Sequence, residues 1–318
     1  MSRKTKSSCL LCGSSNIRNL FNAKDRMLNI PGEFKVSRCK KCGFVFLNPI
    51  PDEKTLKKYY PSKDYYAYSD KEDEGFFSKV RNYLISHYYN RNILSRLIAS
   101  VVHDVPGIPL WKQNGKILDI GCGSGETLVM LKKLGWEVYG LDIDKKALDV
   151  AKKKGVTHVK FGTYKAISTY PDNFFDAVRM YHVIEHLDNP YQVLGIIHKK
   201  LKKNGELIIG TPNTKSFTAG IFRQYWLNLD TPRHTILFNP VVLKKLLKKE
   251  NYKVTAVDFC SAGGIVGSMG YFFSEQKKYK INLLDNMFLV LLFYPFEWVL
   301  DKLHYGDIFV IKARKMKN

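Results

Sequence analysis

The chain has 318 residues, 45% of them hydrophobic and 13% aromatic, with a formal charge of +22. That apolar share can bury a full sheet and excludes a disordered chain, and the length exceeds one small core, so a protein of two or three parts is expected. The positive excess alone excludes little, because scattered lysines such as those of KKALDVAKKKG and VVLKKLLKKEN suit a solvated surface as well as an anionic partner.

The start, MSRKTKSS, is basic but leads into no apolar run. No leader peptide is therefore expected, and the chain reads as cytoplasmic, at most peripheral to a membrane. Cys9 and Cys12 then form one CxxC pair and Cys39 and Cys42 another, each followed by glycine, Gly13 and Gly43. Two such knuckles bring four thiolates together tetrahedrally, which suits a structural zinc ion supplying folding energy to a segment too small for its own core. A ribbon over residues 1–50 is expected; a disulfide or a redox CxxC is the alternative.

Residues 51–110 read as a crossing segment. FLNPIPDEKTLKKYYPSKDYYAYSDKEDEG holds a short helix at DEKTLKKYY and is rich in tyrosine; Tyr59, Tyr60, Tyr65 and Tyr66 either pack on the core or touch a ligand. The following stretch, with Phe77, Val80, Leu84, Tyr88 and Leu94 near one face, predicts a helix beside the third part.

Residues 111–318 carry the chemistry. Ile117 to Gly125 read ILDIGCGSG, an apolar strand that passes through Asp119 into Gly121, Gly123 and Gly125. Glycines let the backbone turn and approach a ligand where a Cβ would collide, and a helix starting near Glu126 would point its N-terminus there. The spacing is GxGxG, not the GxGxxG of a dinucleotide site, and Asp119 stands where a carboxylate can meet an amino group. EVYGLDID then gives a second strand ending in Asp142, an acid able to accept both hydroxyls of a ribose, with Asp144 as runner-up. A helix (KKALDVAKKKG), a strand (HVKFG), a fourth strand and turn (NFFDAVRMYHVIEHLDNP), a fifth strand (KKLKKNGELIIGTPN) and a last strand (DIFVIKARK) follow.

On these motifs the chain resembles the class I S-adenosylmethionine-dependent methyltransferases. The resemblance covers about residues 112–260 and the last strand, and it implies an α/β Rossmann-like sheet with the N-terminal zinc ribbon attached. It also implies a cofactor site of Asp119, Gly121, Gly123, Gly125, Asp142, Ile143, Thr163 and Tyr181. Thr163 enters because the third strand's Gly162 is followed by Thr163, Tyr164 and Lys165, where the family often has an acid. Some methyltransferases that resemble this chain, with a cysteine ribbon, a tyrosine-rich crossing and later TPN and PRH motifs, use this region as a lid.

Methyl transfer needs alignment, exclusion of water and, for a hydroxyl or carbon acid, a base. Two groups offer one: Tyr181, His182, Glu185 and His186 after the fourth strand, and Trp226, Asp230, Arg233 and His234 after the fifth. His234 is the first choice, since an imidazole titrates near working pH and Asp230 or Arg233 could orient it; His182 is second. Glu185 and His186 read as the start of a helix, although some quinone-pathway O-methyltransferases that look similar place a divalent metal near an EH pair. Of the function classes, a small-molecule methyltransferase acting on a sugar, nucleotide-sugar or lipid-linked glycan precursor is favoured. An RNA methyltransferase that grips phosphates with ribbon and charge is second, and it lacks an NPPY-type motif and a dense arginine patch. A non-enzymatic ribbon adaptor comes third.

Residues 261–305 read as an insertion before the last strand. The apolar run from Met287 to Phe296 is about half the ~20 residues a spanning helix needs. It is expected to be a buried helix capping the active site; the other reading lays residues 287–298 in a membrane interface with Phe293, Tyr294, Phe296 and Trp298 at headgroup depth.

Overall fold

The computed structural model describes residues 8–60, 76–102, 105, 107–261, 263–277 and 281–316; Tyr65, Tyr66 and the Phe77 side chain lie outside the described residues. Three strands open the fold, β1 (Ile17–Ala23), β2 (Phe34–Cys39) and β3 (Val45–Leu47), paired antiparallel in that order. The short helix α1 (Glu53–Leu56) is capped by Asp52, whose carboxylate accepts from the Thr55 amide at 2.8 Å. The expected single helix that follows is two, α2 (Phe76–Ser86) and α3 (Ile93–Val102). Asn92 explains the break: its side chain accepts from the Ser95 amide at 2.7 Å and so starts a new helix.

Alternating strands and helices build the rest: β4 (Lys116–Ile120), α4 (Glu126–Lys133), β5 (Glu137–Asp142), α5 (Lys145–Lys153), β6 (His158–Phe161), β7 (Phe175–Tyr181), α6 (Pro190–Lys200) and β8 (Leu201–Pro212). After α7 (Phe217–Phe222), β9 (Ile236–Leu237), α8 (Pro240–Lys249) and β10 (Tyr252–Cys260) come the insertion helices α9 (Gly264–Lys277) and α10 (Met287–Lys302), and then β11 (Ile308–Lys315). The main sheet runs β10-β11-β8-β7-β4-β5-β6. Strands β4 to β8 within it are parallel and β11 is antiparallel to both neighbours, giving the expected Rossmann-like α/β fold. Chain order reverses at β4, between β5 and β7, and crevices at such switch points are where open parallel sheets bind ligands. The glycine loop leaves β4 there.

The ribbon is stitched to this sheet. Strand β9, from the segment after the fifth parallel strand, pairs with β3 through Val45 with Leu237 and Phe46 with Ile236. Phe44 packs on Phe46 and on Phe238 with ring centroids 5.6 and 5.5 Å apart, so ribbon and sheet share one core.

The insertion corrects one expectation. Helix α10 is not a buried cap: Met287, Phe288, Leu291, Leu292, Phe296 and Val299 are all exposed. Its acids face the protein instead. Glu297 accepts from the amides of Gly263 and Ile265 at 3.0 and 2.9 Å, satisfying the start of α9, and Asp301 accepts from the Ser261 amide at 2.9 Å. Holding those carboxylates inward turns the apolar side of α10 outward. No described helix is long and apolar enough to cross a membrane.

Candidate active site

The three loop glycines have different neighbours. A Cβ on Gly121 would lie 2.4 Å from Val183 Cγ2, and one on Gly125 would lie 2.9 Å from the Ala151 Cβ, so both positions are closed by protein rather than by a ligand. Gly123 alone has nothing within 4 Å of its Cβ position, and its φ of +51° suits glycine. The space over Gly123 is therefore the place a ligand could take. Asp142 stands beside it, its Oδ2 accepting from the Gly123 amide at 2.8 Å and its Oδ1 from the Asp144 amide at 2.9 Å. Burial raises the Asp142 pKa, partly offset by these two amides. Ile143, next to it, is 65% exposed, an aliphatic surface without cover at the strand tip.

Other expected cofactor residues stand further back. Asp119 is 2% exposed, and both its oxygens accept from Arg179 Nη1, at 2.9 and 2.8 Å. It ties β4 to β7 behind the loop instead of opening into it. Tyr181 packs its ring where a Cβ on Gly210 would come within 2.5 Å, and its hydroxyl lies 3.6 Å from Cys260 Sγ. Thr163 caps the short helical turn Tyr164–Thr169, its hydroxyl accepting from the Lys165 amide at 3.4 Å.

A cavity of about 990 Å³ lies on the β7 side, reaching His182, Asp230 and His234 at its floor. Its walls come from three separate segments: the β1–β2 loop of the ribbon (Lys24 to Gly32), α9 (Gly267, Tyr271, Ser274) and the stretch Ile281 to Leu284. His182 has a φ of +55°, a strained conformation for its residue type, and its Nδ1 lies 3.1 Å from Glu185 Oε1. Glu185 is wholly buried and also accepts from Thr211 Oγ1 at 2.9 Å. Burial would raise its pKa, but the hydrogen bond from His182 and the fields of His182, His234 and His186 outweigh this and hold it at about 2.

His234 is deeper. Its side chain is 6% exposed against 32% for His182; Nδ1 lies 2.9 Å from the Asn228 carbonyl, and Nε2 stays 3.9 Å from both Glu185 and Asp230. His186 places its Nδ1 3.0 Å from both the Arg233 carbonyl and the Tyr60 hydroxyl. Donor atoms of Glu185, His186 and His234 lie within 4.8 Å of one another, a set that could hold a divalent cation.

Arg233 is the anchor of this floor. Fully buried, it donates to Asp230 through Nε at 2.9 Å and Nη2 at 2.5 Å, and to Asp25 of the ribbon through Nη2 at 2.7 Å. Sequence reasoning missed Asp25, Arg26 and Arg179. The signal for Arg179 was available, since a lone arginine in the apolar strand AVRMY needs a buried acid, and ILDIG offers one.

The four cysteines meet as expected. Cys9 and Cys42 sulfurs are 3.6 Å apart, as are those of Cys12 and Cys39, and all four lie within 4.8 Å of one another. Four thiolates at about 2.3 Å from zinc would stand about 3.8 Å apart, so the set fits that ion and no disulfide is present. The Gly13 and Gly43 amides close the knuckles on the carbonyls of Cys9 and Cys39, each at 2.9 Å.

A family profile described as a methyltransferase domain matches residues 89–257. The ubiquinone biosynthesis O-methyltransferase of Pelagibacter ubique is 30% identical over 46% of this chain and 65% of its own. Its mitochondrial counterpart from Schizosaccharomyces pombe is 28% identical over 51% and 69%. The chain spans 50% of the length of the Proteus mirabilis relative and 65% of the Pelagibacter one. A crystal structure of a SAM-dependent methyltransferase from Archaeoglobus fulgidus aligns over 76% of this chain and 98% of that one, at 23% identity and a TM-score of 0.46.

Proposed function

We propose that the chain, which belongs to the methyltransferase domain family, uses S-adenosylmethionine to methylate a hydroxyl of a small polar ring compound held in the cavity above His182. The observation that carries this reading is His182 itself. It is the partly exposed imidazole of the cavity floor, with Nδ1 on a buried, ionised carboxylate. Such a carboxylate fixes the tautomer and compensates the charge when Nε2 takes the acceptor's proton. His234, the first choice from sequence, is more deeply enclosed, and its better role is to orient the acceptor.

When bound, the cofactor supplies a methyl group already made electrophilic by its sulfonium. This chain's part is alignment: Gly123 leaves the space, Asp142 would receive the ribose hydroxyls, and Ile143 and Thr163 would border the adenine. Asp119 and Tyr181 would hold the floor, with Gly121 and Gly125 fixing the loop. A divalent cation on Glu185, His186 and His234 is a second reading, favoured by their converging donors; it would act as a Lewis acid on the acceptor hydroxyl. Zinc on Cys9, Cys12, Cys39 and Cys42 would be structural, because four thiolates leave no open position.

The relatives are named for ubiquinone biosynthesis, not for sugars, so a phenolic ring joins the sugar and nucleotide-sugar acceptors as a candidate. A walled cavity also favours a small molecule over RNA. The test is cofactor consumption with catechols, nucleotide-sugars and RNA, in the wild type and in His182→Ala. Turnover on one of the small molecules should fall about 10²- to 10⁴-fold in the variant, with cofactor affinity within twofold of wild type. Turnover on RNA alone overturns the acceptor class. Loss in His234→Ala but not in His182→Ala moves the base to His234.

A further inference from the structure

Helix α10 is built inside out. Its exposed side is Met287, Phe288, Leu291, Leu292, Pro295, Phe296 and Val299, while Glu297 and Asp301, its two acids, are each 4% exposed on the protein side. An ordinary surface helix has the opposite arrangement. Helix α3 repeats the inversion, with Ile93, Leu94, Leu97 and Val101 between 56 and 78% exposed and Ser95 buried. The two helices are neighbours: the Tyr294 hydroxyl of α10 donates to the Val101 carbonyl of α3 at 3.3 Å. The exposed apolar side chains of both helices thus lie on elements that adjoin at Tyr294 and Val101, and apolar surface gathered in this way marks an interaction site.

Charge decides what covers it. The charged residue in line with the exposed side of α10 is Lys302, in its last turn. Exposed Arg96 flanks the stripe on α3, and exposed Lys277 ends α9. A second copy would bring two chains of formal charge +22 into contact, whereas an anionic surface is attracted to that charge. Helix α10 has 16 residues, too few to span a bilayer, so it would lie in the plane of the interface. We propose that the α3–α10 face docks on an anionic lipid bilayer, with Phe288, Leu291, Leu292 and Leu97 in the acyl boundary and the basic rim on the headgroups. This does not depend on the methyltransferase reading.

The experiment is vesicle flotation of the full chain with phosphatidylglycerol–phosphatidylcholine vesicles and with phosphatidylcholine alone. The protein should float with the anionic vesicles, at least tenfold less with phosphatidylcholine or at 0.5 M salt. The variant Leu97→Glu, Phe288→Glu, Leu292→Glu should stay at the bottom. All three positions are more than half exposed, so the variant should keep its thermal midpoint, which is measured as the control for folding. Wild type that does not float, or a variant that floats equally, overturns the proposal. So does a dimer of the wild type in vesicle-free ultracentrifugation at micromolar concentration that the same substitutions dissociate, since a second copy would then cover the face.

Discussion

Single residues separate ligand space from structural space in the glycine loop. Gly123→Ala should cost cofactor affinity and only the ~1 kcal/mol of stability that a left-handed φ of +51° costs a residue with a Cβ, because that Cβ would enter open space. Gly125→Val should cost stability first, because its side chain would press on Ala151 and Val156. Calorimetry beside thermal melts tells the two apart; equal loss of affinity and stability in both would refute the distinction. Asp307 gives a second test. It is 2% exposed and accepts from Trp226 Nε1 at 3.0 Å and from the Thr218 hydroxyl, and burial pushes its pKa up to about 7. A carboxyl raised in the folded state contributes stability at low pH that is lost as pH rises through that value. Going from pH 6 to pH 8 should therefore cost the wild type about 1.4 kcal/mol relative to Asp307→Asn. His186, held neutral down to about 4 by burial, has the opposite dependence and cancels in the comparison. A difference that does not change with pH would show that Asp307 is ionised throughout.

Elements show what the sequence could and could not reveal. The parallel strands and their helices were legible because apolar runs, glycine turns and capping asparagines agree locally; Asn189 and Asn239 each precede a proline that starts a helix. Strand β9 was not legible, since Ile236–Leu237 is two residues long and its partner β3 lies almost two hundred positions earlier. The exposed side of α10 was read as buried because an apolar run alone does not say which side faces water; Glu297 and Asp301, which turn inward, decide that. The β3–β9 pairing makes the ribbon part of the candidate site. Stripping the metal from Cys9, Cys12, Cys39 and Cys42 should thus loosen residues 223–239 as well as the knuckles, and metal analysis should find one zinc per chain. Hydrogen exchange before and after chelation reads this directly; unchanged protection of residues 223–239 would confine the ribbon's role to itself. Arg233→Met should be more severe, destabilising by about 3–5 kcal/mol, because it leaves Asp25 and Asp230 buried without their cation. Urea melts measure the loss, and a change below about 1 kcal/mol would mean the two acids find other partners.

At the scale of the whole molecule, the cavity exists because three stretches converge, and Arg26 is where two of them meet. From the ribbon loop it reaches Glu275 of α9 at 2.6 Å and stacks its guanidinium 4.6 Å from the ring of Tyr225, which follows α7. The salt bridge is partly exposed on the Glu275 side, so its worth to global stability is small, about 1 kcal/mol at most. Its effect on the cavity is another matter, since it clamps two of the three walls. Arg26→Ala should leave the thermal midpoint within a few degrees and cofactor affinity unchanged, because Gly123 and Asp142 stand on the main sheet and not on these walls. Hydrogen exchange in residues 24–32 and in α9 should rise together, and with a working acceptor KM should increase about tenfold while kcat falls less. Arg26→Lys should not restore it fully, because a lysine keeps the charge but loses the flat contact with Tyr225. Coupled loosening of both walls with an intact cofactor site is what a cavity closed across three segments requires; exchange that rises in the ribbon loop alone would mean that each wall stands by itself.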